Sequence, residues 1–409
     1  MDGGEQVRLR DRTTLGVEEE FLLLDRSSGL PVGRSGTVVE TGRARLGDGR
    51  LVHEISQAMV ETVSGVCGTA RDLRRELLRL RGGVARAAGV HDCLLLASGT
   101  SPLGHAGPAL DGDPAGTPGL HGHPRYARIR QRFGPLLQDQ GVCGCHVHVG
   151  VPDLATAVAV VDRLRPWLPL LLALTANSPF WHGRDTGYAS WRTMLWGRWP
   201  TAGPPPLLRS AEHYEEIVGT SVASGAVLDP GMIYWFARPS RHVPTVEVRV
   251  ADVLPTVAET VAYALLVRAL VARARSEVDA GAKPPETEHD VLVAACWQAA
   301  REGVTGNLLD LTAGSPPAVT PVVRQIETLR RLAWPHMAQE GDRAVVGAWL
   351  DRLSAEGGAA DRQRETYART GRLEKLVDTL ALAVPDTSPV GERGIVPSAP
   401  LLSDPGESA

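Results

Sequence analysis

The distribution of apolar patterns predicts an α+β fold, and three observations carry that prediction. Strand-like alternation falls mostly within the first 255 residues, helical periodicity dominates the rest, and no internal repeat or regular strand–helix–strand alternation is present. At 409 residues the chain suits one large domain or two ordinary ones. The element order reads as a single domain over 13–384, with a polar tail at 1–12 and a tail of disorder composition at 385–409.

Taken in order, Thr13–Asp25 reads as a strand closed by the turn Ser27-Ser28-Gly29. His53–Val63 fits a strand or a helix, Thr69–Ala88 has helical periodicity with Arg-rich outer faces, and Cys93–Ala97 is a short apolar strand. The stretch 101–124 is too rich in Gly and Pro for regular structure and reads as an irregular flap, with His105, His121 and His123 as solvated loop residues. A helix starts near Arg125–Phe133, Val142–Val151 is a strand, and Leu154–Asn177 reads as one long helix. After the Trp/Arg/Pro-rich irregular region 178–210, strands are expected at Ile233–Ala237 and Thr245–Val253, then a long helix at Thr256–Val278. Helical patterns return at 287–303, 320–339, 341–356 and 360–383.

Composition narrows the partners. A chain that is 43% hydrophobic and 22% charged with net charge −4 is a soluble globular type, with no electrostatic reason to bind nucleic acid or a membrane. The apolar stretch Trp167–Ala176 is about half the length of a membrane helix. All 43 basic residues except Lys283 and Lys375 are arginine, so a phosphate or carboxylate ligand would be held mostly by planar guanidinium forks. Five cysteines without a CxxC pair read as reduced thiols of a cytoplasmic protein, and the polar start MDGGEQVRLRDR reads as no signal peptide.

Three strands carry the chemistry. Residues two apart in a strand share a face. In TLGVEEEFLLLD, Glu18 and Glu20 therefore face one way, and Glu19 faces the other with Val17, Phe21 and Leu23. CGCHVHVGV puts His146 and His148 on one face, and TVEVRVA puts Glu247 and Arg249 on one face, each opposite a row of apolar residues. Singly, each pattern is ordinary for a solvated strand face. Together they describe one sheet with an apolar side and a polar side that is a site. Neighbouring carboxylates repel unless a cation lies between them, and glutamate oxygens suit Mg²⁺ or Mn²⁺. Glu19, stranded on the apolar side, is expected to find an Arg or a backbone partner. No P-loop, Rossmann glycine motif or nucleophile elbow is present, so a nucleotide would have to be held by metals and arginines directly.

The motifs GVEEEF, QAMVET at 57–62, CGCHVHVGV, ANSPFWHGRDTGYASWR at 176–192, TVEVRVAD and WQAAREG at 297–303 resemble, in order, those of the bacterial carboxylate–amine ligases. That family is related to glutamate–cysteine ligase within the glutamine synthetase superfamily. The resemblance implies a curved, mostly antiparallel sheet with helices on its convex side. Its concave face would bind Mg²⁺ (or Mn²⁺), ATP and an amino-acid carboxylate. It makes Glu18, Glu20, Glu54, Glu61, His146 and Glu247 metal ligands. His146, His148, Ser190 and Arg249 would be nucleotide-side residues, with Arg249 as a phosphate clamp, and Glu247, Arg249 and Arg192 would serve catalysis. The implied reaction activates a small-molecule carboxylate, such as glutamate, as an acyl phosphate and joins it to an amine. Glutamate plus cysteine is the default pair and a homodimer the expected assembly. Gln298 and Glu302 depart from the Arg and the aromatic expected at those positions. The competing readings are a zinc-dependent hydrolase built on His146 and His148, which leaves the early glutamates unexplained, and a non-catalytic ATP- or metabolite-binding relative.

Overall fold

The first strand organises the molecule. In the computed structural model, which describes residues 13–109, 118–312, 317–337 and 339–382, Leu15–Asp25 forms β1. Its first half alternates buried and half-buried residues, whereas Phe21–Leu24 is buried throughout. The other strands are β2 (Leu51–His53), β3 (Met59–Val63), β4 (Cys93–Leu96), β5 (Gly144–Gly150), β6 (Phe180–Trp181), β7 (Arg184–Asp185), β8 (Ala237–Pro239), β9 (Thr245–Asp252), β10 (Asn307–Asp310) and β11 (Ala318–Pro321). Seven of them form the main sheet in the order β2-β3-β1-β5-β9-β8, with β4 paired to the second half of β1. Every pairing in it is antiparallel. The pairs β6–β7 and β10–β11 are separate hairpins.

The register brings the polar residues together. Glu20 lies opposite Glu61, Glu18 opposite His146, His148 opposite Glu247, and Glu247 opposite Arg238. Between β5 and β9 the pairing slips at His146: Cys145 opposes Ala251 and Val147 opposes Val248, so Arg249 and Val250 together face one residue. Such a bulge adds local twist and re-aims side chains.

Leu15, Val17, Cys145, Val147, Val149, Val246 and Val248, all buried, form the sheet's apolar side. The helices Ala70–Val90, Leu154–Leu164 and Val257–Asp279 cover it. Each is capped at its N-terminus by a side chain that accepts a backbone N–H: Thr69, Asp153 and Thr256. None of the described helices is long and apolar enough to cross a membrane.

Several expectations are corrected. The single helix expected over 154–177 is two, Leu154–Leu164 and Leu168–Thr175, joined by a 3₁₀ turn at Arg165–Trp167; Pro166 and Pro169 lack the N–H groups a continuous helix needs. The strand expected at 233–237 lies at Ala237–Pro239, because Pro230–Met232 is a 3₁₀ turn and the chain becomes strand only on reaching β9. The 360–383 pattern divides into helices Ala359–Thr370 and Leu373–Leu380 at Gly371, whose φ of 64° ends the first. Helices at Ser35–Leu46 and Ala211–Ala223 had not been foreseen.

Residues 53–63 are the ends of β2 and β3 around an irregular turn carrying Glu54. The flap's return arm lies against that turn: Gln57 N–H donates to the Gly119 carbonyl and His121 N–H to that of Ile55. His121 is not a free loop residue, since its ring stacks on His53 at 4.0 Å. The tails 1–12 and 385–409, and 110–117 of the flap, lie outside the described residues.

Candidate active site

The polar side of the sheet opens into a cavity of about 280 Å³. Glu18 and Glu20 of β1, Glu61 of β3, Glu54 of the β2–β3 turn, His146 of β5 and Arg249 of β9 line it. Alternation in four strands, the register between them and the β2–β3 turn bring these residues to one side. The opposite wall consists of Tyr126 and Arg125 from the helix Pro124–Phe133, with Trp196, Trp199 and Tyr234.

The histidines are held by Glu18. His146 Nδ1 lies 3.1 Å from Glu18 Oε2, and His148 Nε2 lies 3.4 Å from Glu18 Oε1. Burial would raise the Glu18 carboxyl, but these two partners hold it well below the usual range. Burial, with Arg249 nearby, pushes His146 down to about 4, so it is neutral at pH 7. His148 goes the other way: burial opposes its charge, yet Glu18 and Glu247 raise it above its ordinary value. His146 Nδ1 also lies 3.4 Å from Arg249 Nη1, and its Nε2 lies 3.9 Å from Glu20 Oε1. That Nε2 is buried and has no hydrogen-bond partner among the described residues.

The other carboxyls crowd one another. Glu20 accepts the Gly144 N–H at 2.5 Å, and burial raises its pKa against the pull of Arg192. Burial and the charge of Glu20 push Glu54 up to about 7. Glu61 is raised well above the usual carboxyl range, by burial first and then by Glu18, Glu54 and Glu20. Four carboxyl groups and a neutral imidazole thus converge on a cavity whose lining also includes Arg249 and Arg125. Oxygen-rich donors of this kind fit Mg²⁺ or Mn²⁺, and the orphaned Nε2 is the atom a cation would satisfy. Glu18, Glu61 and His146 each offer a ligand atom within 4.8 Å of the other two, and so do Glu18, His148 and Glu247.

Glu247 lies to one side. Its carboxylate takes Arg238 as a fork, Nε at 2.8 Å and Nη2 at 3.3 Å, and also Arg249 Nη1. Burial opposes its ionisation, but the two guanidinium groups hold it far below the usual range. It aims Arg249 at the cavity. Arg238 was missed in the sequence; only the β8–β9 register, which sets it opposite Glu247, identifies it.

Ser190 and Arg192 lie behind the cavity. Ser190 Oγ donates to Asp252 Oδ1 at 2.9 Å and caps the short helix Trp191–Trp196. Arg192 Nη1 is 3.8 Å from Asp252, its Nη2 donates to the Arg249 carbonyl at 3.4 Å, and its guanidinium packs on Gly144. Asp252 was also missed. It accepts the Asn177 N–H at 2.8 Å and the Ser178 hydroxyl at 2.7 Å. Strict alternation from Glu247 assigns it to the valine face, but the bulge breaks that count.

Comparison with known proteins identifies the family and the fold. The chain is 45% identical over 388 residues to "Putative glutamate--cysteine ligase 2-1" of Saccharopolyspora erythraea, covering 94% of this chain and 99% of that one. It is 44% identical over 378 residues to "Putative glutamate--cysteine ligase 2-3" of Mycolicibacterium smegmatis, covering 92% and 99%. Among solved structures, the glutamate–cysteine ligase of Francisella tularensis in complex with AMP superposes with a TM-score of 0.68 at 13% identity, over 90% of this chain and 87% of that one. The bifunctional glutathione synthetase of Pasteurella multocida superposes with a TM-score of 0.66 at 14% identity, over 92% and 52%. At such identities these two establish the shared fold. The profile of glutamate–cysteine ligase family 2 matches residues 14–379, nearly the whole described chain, and the protein belongs to that family.

Proposed function

We propose that the cavity on the polar side of the sheet is the active site of an ATP-dependent carboxylate–amine ligase, with glutamate and cysteine as its first candidate substrates. One observation carries the proposal: Glu18, Glu20, Glu54, Glu61 and the buried Nε2 of His146, partnerless among the described residues, converge on a cavity that is also lined by Arg249. Membership of a ligase family accords with this chemistry. The hydrolase alternative has no support in either relatives or fold.

In the proposed reaction a carboxylate oxygen of the first substrate attacks the γ-phosphorus of ATP and ADP leaves. The amine of the second substrate then attacks the acyl carbon, inorganic phosphate leaves, and the amine's proton is lost to solvent or a base. Both steps gather negative charge. Glu18, Glu20, Glu54, Glu61 and His146 would hold Mg²⁺ or Mn²⁺, which supplies charge neutralisation at the phosphates. Arg249, steered by Glu247, presents fixed positive charge where the phosphoryl group would lie. Trp196, Trp199 and Tyr234 pack ring against ring along another wall of the cavity.

The test is ADP release with ATP, Mg²⁺ and amino acids offered singly and in pairs, with amide products read by mass spectrometry. ADP formation that needs a divalent cation, is stimulated by an amine and is lost in Glu61→Gln is the expected result. ATP-independent hydrolysis with zinc as the metal would overturn the proposal.

A further inference from the structure

Away from the sheet, a second group of metal-binding side chains lies where three chain segments meet. His105 belongs to the flap's first arm, Asp139 to the turn before β5, and His182 to the two-residue turn between β6 and β7. One donor atom of each lies within 4.8 Å of the other two. His105 Nε2 and Asp139 Oδ1 are 3.4 Å apart. Tetrahedral ligands about 2.1 Å from a zinc ion are themselves separated by about 3.4 Å. That pair already has ligand spacing, and His182 joins it with a shift on the order of 1 Å.

The backbone fixes all three positions. Gly183 N–H donates to the Pro102 carbonyl at 2.9 Å, and Thr100 Oγ1 donates to that of Phe180 at 2.8 Å, which ties the flap to the hairpin. A methyl group on Gly107 would lie 1.8 Å from the Gln138 carbonyl oxygen, and one on Gly141 would lie 2.1 Å from the Ala106 carbonyl carbon. Flap and turn therefore pack backbone on backbone.

The side chains are aimed as well. Arg198 Nη2 holds Asp139 Oδ2 at 2.8 Å, leaving Oδ1 toward His105. His105 Nδ1 is buried with no hydrogen-bond partner among the described residues, so no competing contact fixes the ring elsewhere. His182 occupies the left-handed region, φ 49°, that few non-glycine residues enter, and the Trp181 ring lies against its imidazole at 3.8 Å.

We propose that His105, Asp139 and His182 bind one zinc-class divalent cation, which staples the flap to the β6–β7 hairpin and to the turn before β5. Two imidazoles and one carboxylate select zinc and its late-transition neighbours over Mg²⁺, in contrast to the carboxylate-rich cavity. The turn matters to that cavity. Gln140, next to Asp139, lines it and accepts the Trp199 Nε1–H at 2.8 Å. The staple therefore fixes one wall of the active site without entering it.

The probe is Co²⁺, whose visible absorption reports imidazole coordination, titrated into the full-length protein in excess Mg²⁺. One equivalent should bind and be displaced by Zn²⁺. His105→Gln and His182→Asn should each weaken binding by about tenfold or more, while Glu61→Gln leaves it unchanged. Asn tolerates the left-handed backbone at 182, and the unfolding temperature without metal serves as the folding control. Absence of a stoichiometric band overturns the proposal. So does a band that survives both histidine variants and is lost in Glu61→Gln, which would put the ion on the sheet. In limited proteolysis, Zn²⁺ should slow cleavage of the flap in the wild type and not in His182→Asn; equal cleavage with and without Zn²⁺ in the wild type overturns the stapling role.

Discussion

Glu19 and Glu20 are consecutive residues on one strand, both shielded from solvent, and they live in opposite circumstances. Glu19, fully buried on the apolar side, receives Arg81 as a fork, Nε at 3.0 Å and Nη2 at 2.6 Å, and Thr260 Oγ1 at 2.8 Å. Arg81 in turn donates to the Leu254 and Pro255 carbonyls. Every charge in that network has its complement. Glu20, on the polar side, has one backbone N–H and three other carboxyl groups around the same cavity. Burial alone does not separate structure from function in this protein; completeness of the partner set does.

The largest expected effect tests the core half of that comparison. Glu19→Gln leaves the Arg81 guanidinium buried without its counter-charge and should cost about 3–5 kcal/mol of stability, read from the urea midpoint. Glu20→Gln should leave that midpoint unchanged or raise it, because it removes a repelling carboxylate. Equal losses in the two variants would break the comparison. In the ligase assay the ranking reverses. Glu20→Gln and Glu61→Gln should each lower kcat by about 10²–10³-fold, on the scale of losing one preorganised electrostatic group. The folded fraction of Glu19→Gln should retain most of its turnover.

Much of this contrast was legible in the sequence. A period of two placed Glu18 and Glu20 together and Glu19 opposite, and the structure supplies Arg81 as the partner expected for Glu19. The same rule put His146 with His148 and Glu247 with Arg249, because strand alternation is a local property. What was not legible depends on which strands are neighbours and where the register slips. Arg238 meets Glu247 only through the β8–β9 pairing, and Asp252 escapes alternation because of the bulge at Arg249–Val250. The helix Ser35–Leu46, with two glycines and several β-branched residues, owes its form to packing against the helix Ala70–Val90 rather than to a periodic signal. His105 and His121 looked like solvated loop residues because nothing in a Gly/Pro-rich stretch reveals what it folds against.

The third effect sharpens the polar half through pH. Glu54 titrates at about 7 in the folded chain against an ordinary 4.5, with burial as the main cause. Glu61 is shifted the same way. A raised carboxyl means that the folded state binds more protons than the unfolded one between those values. The contribution of these carboxyls to stability without divalent cations is therefore greatest below about 4.5 and is lost as pH rises through about 7. His146, depressed to about 4, acts in the opposite direction below its ordinary 6.5. His148, raised above its usual value, adds to the fall at the upper end. The unfolding temperature of metal-free protein should drop between about pH 6.5 and 7.5, above the range in which His146 opposes the carboxyls, and more shallowly in Glu61→Gln, which isolates the carboxyl contribution. Mg²⁺ should raise the unfolding temperature more at the upper pH than at the lower. A flat profile in the wild type would mean that the carboxyls already share a counter-charge.

The smallest effect concerns how the two halves meet. Gly144 donates its N–H to Glu20, and a methyl group there would lie 2.3 Å from Arg192 Nη2 and 2.8 Å from its Cζ. Gly144→Ala must therefore push the guanidinium away from Asp252 and from the Arg249 carbonyl. Side-chain movement can absorb most of the strain, so the stability loss should be about 1–2 kcal/mol. The loss in kcat should be about tenfold, some 1.4 kcal/mol. If the glycine acts through Arg192, Gly144→Ala combined with Arg192→Lys should cost less than the sum of the single changes. Additive losses would mean instead that the added methyl group acts through contacts other than Arg192. Arg192 would then be a buried support of β9 with no reach into the cavity.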